Sequence, residues 1–420
     1  MKRLPIRLES IYVGATFIAL SGAVFLLFFE NARFSSDPQG NTFAQALSAP
    51  ALLYTIFTAI VRSGAILGAI RRAPLPLLLC LLCIVSTCWS IDPAGTLRRS
   101  VLLTGITLFS YSISIRFTPS ELVRVLCGAF IAMSLLGLAG AALIPGTAIH
   151  QDQHYPAVRG FFAQKNIAGR VLLLGIVIGI ATTWADRRSR TLGLAAAASC
   201  TAGVIASLSA TALVDLVVVA AVFAISIVWR KLSKPAAFLV TVIAVVLIPA
   251  ATYFVYENIL LNLIASTGRD ITLTGRTLIW AELFSQVREK SSLLGFGYEA
   301  FWTADNTGAA TTRWIGLGPY IPPQAHNGLI HAFTALGYVG AFLCLYTTAK
   351  LILKCISCIS SENREFALVG VLGTTFCSYF VVVNITENEF LTYNSVIWCV
   401  FVAIYVYANS KPIHRGSQAS

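Results

Sequence analysis

Charge is what this chain has least of. Asp, Glu, Lys and Arg make up only 11% of its 420 residues, less than half the roughly 25% of an ordinary soluble domain, while 57% are hydrophobic. That deficit excludes a water-soluble globule. Acidic residues are the scarcer sign, 18 against 30 basic, for a formal net charge of +12. Such a balance would suit nucleic acid, but in a membrane protein basic residues are first sorted by the positive-inside rule. No internal repeat or low-complexity segment stands out. Ten cysteines are present, yet the Cys355-x-x-Cys358 pair has no second pair to complete a metal site, and the other eight lie in apolar runs, where a thiol acts as a small apolar group. No metal or other cofactor is expected.

What is present is one apolar run after another. About 20 such residues cross a bilayer as a helix, and candidate spans fall near 11–29, 47–68, 73–91, 98–115, 122–144, 167–185, 191–208, 211–229, 236–255, 325–349, 366–384 and 390–408. The expectation is an all-α polytopic membrane protein of about 12 transmembrane helices, forming a single transmembrane domain over 1–420. The first run, about 19 residues with no small-residue cleavage site after it, reads as an anchor and not as a cleaved signal peptide. With the N-terminus cytoplasmic, 19 of the 30 basic residues gather on the inner side. Long loops translocate regardless of charge, and setting aside the five basic residues of the longest one leaves 19 inside and six outside. Both termini are expected in the cytoplasm, with no nucleic-acid role for the charge.

Two outer loops interrupt this pattern. One covers 145–166. The other, 256–324, is far longer than the roughly 15 residues beyond which loops are usually functional or disordered. Its aromatics, Trp280, Phe284, Phe296, Tyr298, Phe301, Trp302, Trp314 and Tyr320, point to order. Within it Ile279, Leu283 and Val287 recur at i, i+4 and i+8, with Glu282, Gln286 and Arg288 on the other face. That spacing predicts an amphipathic helix at the outer surface.

Polar groups of the outer side form the candidate site. Arg159, Lys165 and Asn166 lead into the sixth span and suit either snorkelling to lipid phosphates or an anion site at a helix start. Arg276, within Thr274-Gly275-Arg276-Thr277, precedes the amphipathic helix, where a cation opposes the macrodipole but would converge with helix N–H groups on a phosphate. His326 and Asn327 open the tenth span; the positive helix end disfavours imidazolium and leaves His326 able to accept a proton. Asn327 could orient the ring or a hydroxyl. His331, about 140° further round the helix, makes a poor metal partner for His326, and His150 and His154 lie where no helix is indicated. Asp215 is the one acidic residue well inside a span, a position that is functional by default, with Arg98 or Arg99 as its expected partner.

These segments, in this order, resemble one family. Arg159-Gly-Phe-Phe-Ala-Gln-Lys-Asn166, Gly275-Arg276-Thr-Leu-Ile-Trp280, Leu294-Gly-Phe-Gly-Tyr298, Ala325-His326-Asn327 and Leu336-Gly-Tyr-Val-Gly340 are similar to motifs of the O-antigen ligase and Wzy-type polymerase superfamily. Upstream, Trp89-Ser-Ile-Asp92-Pro93 followed by Thr96-Leu-Arg98-Arg99 resembles its exopolysaccharide production branch. The resemblance covers roughly residues 85–345. It implies a metal-independent glycosyltransferase in the bacterial inner membrane, acting at the periplasmic face on an undecaprenyl-diphosphate-linked oligosaccharide. His326 would then be the general base, Arg276 the diphosphate ligand, and Trp280, Trp302 and Trp314 natural sugar platforms. Many members carry an arginine after a Ser-rich turn where this chain reads Ser207-Leu-Ser209-Ala210-Thr211, so that Arg159, Arg98 or Arg99 would have to replace it.

Three functions compete: polymerisation of exopolysaccharide repeat units, ligation of O-antigen to lipid A core by the same chemistry, and transport of polysaccharide or lipid-linked sugar. Transporters bind at the midplane between repeats and broken helices; here the polar residues gather at one surface. The Trp89–Pro93 segment favours the polymerase, whose further partners would be the lipid bilayer, a chain-length-determining copolymerase and a flippase.

Overall fold

A computed structural model describes residues 6–28, 46–151, 156–185, 187–229, 231–232, 273–302 and 324–410. Helices dominate them: α1 (Ile6–Leu20), α2 (Phe25–Phe28), α3 (Ala49–Arg72), α4 (Leu75–Val85), α5 (Pro93–Arg116), α6 (Pro119–Leu143), α7 (Pro145–Ala148), α8 (Lys165–Ala185), α9 (Arg190–Ser207), α10 (Ala210–Trp229), α11 (Leu273–Lys290), α12 (Gly328–Ile359), α13 (Arg364–Thr386) and α14 (Val396–Ala408). One antiparallel hairpin, β1 (Ile149–Gln151) and β2 (Pro156–Val158), pairs Ile149 with Val158.

The chain is a multi-pass membrane protein. Among the described residues six helices are long and apolar enough to cross a bilayer: Ala49–Arg72, Pro119–Leu143, Lys165–Ala185, Thr211–Trp229, Gly328–Ile359 and Arg364–Thr386; Leu75–Cys88 and Val396–Ala408 are shorter apolar helices. The remaining expected spans divide. Span 98–115 is matched by α5 and 191–208 by α9, but both are too polar or too short for that standard. The run 236–255 lies outside the described residues. The first run is not one helix, because Gly22 turns at φ +75° between α1 and α2. In α3 the backbone leaves helical geometry at Arg62 (φ −137°, ψ 34°), so the charged residue sits at a kink. In the last expected span, 390–408, the helix α14 begins only at Val396; the residues before it form a buried connection instead.

Burial orders the bundle. Of their apolar stretches, 72% in α8 and 78% in α13 are buried, against 28% in α3 and α10. The first two form the centre, and the other two turn side chains toward lipid.

The connections fall at two ends. At one, Arg116 meets Glu9 at 2.6 Å, Ser120 Oγ donates to Glu365, Arg364 Nε donates to the Ala185 carbonyl at 2.7 Å, and Tyr407 donates to the Phe117 carbonyl. At the other, Trp89 donates to the Leu294 carbonyl, Tyr298 to that of Leu391, and Gln324 to Glu387. Caps start the helices at both. Thr118 and Glu121 form a capping box on α6, Asn363 caps α13, and Asp92, Asn327 and Ser395 cap α5, α12 and α14, each side-chain oxygen satisfying first-turn N–H groups that lack intrahelical partners.

Candidate functional site

The site is built where α12 begins. Asn327, in extended backbone, accepts from Leu329 N and Ile330 N at 3.0 Å each. To enter that cap the preceding residue turns sharply: His326 takes φ +50°, a left-handed conformation costly to any residue but glycine. The turn sets His326 Nδ1 3.4 Å from Glu387 Oε2, at the long limit of a hydrogen bond. The same oxygen accepts from Gln324 Nε2 at 2.6 Å and lies 3.3 Å from Arg170 Nη1. Arg170 Nε lies 2.8 Å from Glu389 Oε1, and Ser395 Oγ donates to Glu389 Oε2 at 2.6 Å.

One arginine of α8 thus faces two carboxylates of the α13–α14 connection. Asn384 fixes that connection by accepting from Glu389 N and Phe390 N at 3.0 and 3.1 Å. Burial pushes the Glu389 carboxyl up, Arg170 and Ser395 pull it back down, and neighbouring Glu387 adds to the rise. His326 keeps 19% of its side chain exposed, whereas Glu389 keeps 3%. An accessible imidazole therefore stands over a buried acid pair.

The amphipathic helix is observed as α11, but its apolar face covers protein. Ile279, Leu283 and Val287 are buried with Phe296, Phe301, Trp302, Ala325 and Phe333. Trp280 Nε1 donates to the Ala325 carbonyl at 2.8 Å, joining α11 to the residue before His326. Arg276 lies by its backbone in the first turn of α11, one turn before Trp280, and not ahead of the helix as its Gly-containing context suggests.

The quoted motifs interlock. α12 breaks at Gly337 (φ +62°, ψ −159°), freeing carbonyls of Thr334 and Ala335 that accept from Phe296 N and Gly297 N at 3.0 and 2.9 Å. In return Tyr338 N and Val339 N donate to Ser292 and Leu293. A Cβ at 337 would lie 2.3 Å from Leu293 backbone, so glycine is needed twice over, for space and for φ. Trp89 donates to Leu294, Ile91 N to Phe296, Thr96 to Tyr298 and Arg99 to Glu299, all at backbone carbonyls. The segments 89–99, 294–299 and 334–339 form one unit.

Other candidates are placed elsewhere. Arg159 turns into its own hairpin, donating to Thr147 at 3.0 Å and Ala163 at 3.5 Å, and burial lowers its pKa. Lys165 and Asn166 are half-buried in the first turn of α8. Arg98 is exposed. Arg99 is buried and pairs with Asp92 at 3.3 Å, so the expected partnership with Asp215 is not made. Asp215 is buried in α10, and Tyr379 donates to the Arg170 carbonyl. Trp302 is 9% exposed and stacks on His331 at 6.2 Å; it packs the loop and offers no free face to a sugar. Trp314 and His154 lie outside the described residues.

Arg170, Glu387 and Glu389 do not figure among the candidates read from the sequence. Arg170 looks like one more basic residue at a span end, and Thr386-Glu387-Asn388-Glu389 matches no motif. The available signal is two carboxylates spaced i, i+2 in a short gap between apolar runs.

Fold and site together define a polytopic helical membrane protein with a His–Glu–Arg cluster at one end of its bundle. The family model described as O-antigen ligase matches residues 194–345. Over 314 residues the chain is 28% identical to the exopolysaccharide production protein ExoQ of Rhizobium meliloti (strain 1021), covering 71% of this chain and 69% of the relative. The chain is thus similar to the O-antigen ligase family over 194–345, the stretch that holds the interlocked segments 294–299 and 334–339. The matched segment contains Arg276, Trp280, His326 and Asn327; Arg170, Glu387 and Glu389 fall outside it.

Proposed function

We propose that the protein polymerises exopolysaccharide repeat units at the periplasmic face of the inner membrane, transferring glycan from an undecaprenyl-diphosphate-linked oligosaccharide without a metal. The observation that carries this reading is His326, partly exposed, with Nδ1 directed at Glu387. In that arrangement Nδ1–H donates to the carboxylate and Nε2 keeps its lone pair. Nε2 takes the proton from an acceptor hydroxyl as its oxygen attacks the anomeric carbon. The bond from that carbon to the diphosphate breaks with its electron pair, and the lipid diphosphate leaves, its charge stabilised by Arg276. Glu387 steadies the imidazolium that forms, as Arg170 and Gln324 steady Glu387. Asn327 is spent on its helix cap and acts by shaping the His326 turn.

Similarity to the O-antigen ligase family over residues 194–345 supports this reaction type. The likeness to an exopolysaccharide production protein favours polymerase over ligase, two activities that differ only in acceptor. In proteoliposomes supplied with lipid-linked repeat units, His326→Ala and Arg276→Ala should each abolish elongation at unchanged protein level, while EDTA should leave the wild type active. Normal-length polymer from a well-expressed His326→Ala protein would sink the mechanism. A null strain should accumulate a single repeat on lipid; long lipid-linked polymer would mean a ligase.

A further inference from the structure

In the segment 291–302 that follows α11, three residues take left-handed backbone: Gly295 (φ +67°), Gly297 (φ +100°) and Glu299 (φ +54°). Glycine is required at the first two, where a Cβ would lie 2.6 Å from the Thr334 carbonyl and 2.5 Å from Ser90. Glycine would suit the third conformation as well, yet a glutamate stands there, at a backbone cost that glycine would not carry. A strained residue persists where its surroundings over-determine it, and the inference runs from that outlier to a role.

The surroundings are specific. Glu299 is 4% exposed and its Oε1 lies 3.0 Å from His331 Nε2. His331 is equally buried, and its Nδ1 has no hydrogen-bond partner, so the carboxylate is what holds the ring. Trp302 stacks on that ring with 12° between planes. The Glu299 carbonyl accepts from Arg99 at 3.0 Å. Neither side chain is accessible to a substrate.

We infer that Glu299 and His331 form a positioning clasp that fixes α11, and with it position 276, against the start of α12. The inference rests on the reaction proposed above. At its first half α11 is tied by Trp280 to Ala325; after its last turn the chain runs directly into the 291–302 connection, which the clasp pins five residues along α12 from His326. Two tethers hold the helix that bears Arg276 in register with the helix start that bears His326. Loss of one lets the donor-binding and proton-accepting groups drift apart, and a misplacement of about 1 Å can cost about 10²-fold in rate.

Glu299→Gly separates this role from simple stabilisation, because it relieves the strained backbone while removing the clasp. With the full-length protein in proteoliposomes and lipid-linked repeat units from a null strain as probe, Glu299→Gly should melt only a few degrees below the wild type, because relief of the left-handed backbone offsets part of the lost carboxylate–imidazole contact. Elongation should nevertheless fall about 10- to 100-fold, and the Phe296 and Gly297 amides should exchange with deuterium at least about 10-fold faster. His331→Gln keeps a donor near the Nε2 position and should retain a rate within about threefold of wild type, whereas His331→Phe should fall with Glu299→Gly. Should Glu299→Gly not accumulate, this pair carries the test. A wild-type rate with unchanged exchange in Glu299→Gly, a melting loss parallel to the rate loss, or identical behaviour of His331→Gln and His331→Phe would each overturn the clasp. Absence of elongation by the wild type would reject the reaction, and amide exchange would then decide the clasp alone.

Discussion

The two ends of the bundle hold their buried charges differently. At the end away from His326, Glu9 is met by Arg116 and by Tyr54 at 2.7 Å, so one carboxylate has one cation and a hydroxyl. At the His326 end Arg170 stands before two carboxylates, and Glu387 Oε2 serves Gln324, Arg170 and His326 at once. Left-handed backbone, strained at Leu208, Glu299, His326 and Leu391, follows the same division. Among the described residues every left-handed one (Gly22, Gly160, Leu208, Gly295, Gly297, Glu299, His326 and Leu391) lies at the His326 end, except Gly337 inside α12, which opens toward the 292–297 segment. The far end is closed by a capping box and paired charges, the near end by costly turns and shared ones. Strain held at one end of an otherwise regular bundle marks where the molecule does more than fold.

Paired substitutions can break this contrast. Arg116→Ala strands the buried Glu9, and removing one partner of such a pair costs about 3 kcal/mol or more; a thermal shift should show it, while turnover per folded molecule stays at wild type. Glu387→Gln keeps size and acceptor capacity but removes the charge that steadies His326. Its turnover should fall on the order of 10²-fold with a smaller change in melting temperature. Equal effects of the two substitutions on turnover would erase the distinction between the ends.

A second contrast uses glycines. Gly337→Ala must force a Cβ to 2.3 Å from the Leu293 carbonyl group at positive φ, and should destabilise by about 2 kcal/mol with loosening of the 292–297 segment. Gly68→Ala, in α3, meets only the Arg72 side chain at 3.5 Å and should be neutral or stabilising by about 0.5–1 kcal/mol. Circular dichroism melts of the two proteins would decide it.

Much of this layout is legible in the sequence. Apolar runs give the helical membrane class, sorted basic residues separate the two ends, and Ile279, Leu283 and Val287 mark α11 with its apolar face. The motifs around 89–93, 294–298 and 336–340 can be read, but not their interlocking, because nothing in Leu336-Gly-Tyr-Val-Gly340 says that a 32-residue helix breaks there and offers its carbonyls to another segment. Pairing is less legible still. Asp215 looks like the natural partner of Arg98 or Arg99 while the chain is a line, yet Asp92, seven residues before Arg99, takes it. Glu387 and Glu389 gain meaning only when α8 is packed against α13 and Arg170 faces both.

The same shared arginine sets the smallest of the expected effects and its sign. Burial raises the Glu389 carboxyl above its ordinary 4.5, with Arg170 and Ser395 opposing and Glu387 reinforcing. In the window from 4.5 up to the native value, the folded protein binds more protons than the unfolded chain. Stability therefore declines as pH rises through that window and is level above it. Had the ion pair with Arg170 prevailed over burial, the carboxyl would be depressed and stability would instead rise with pH on the acid side. Melting temperatures of the wild type and Glu389→Gln from about pH 4.5 to neutrality separate the two cases. The wild type should lose more of its melting temperature across the range than the variant. A wild-type slope of opposite sign would mean that Arg170 satisfies both carboxylates fully, and that the near end is as evenly paired as the far one.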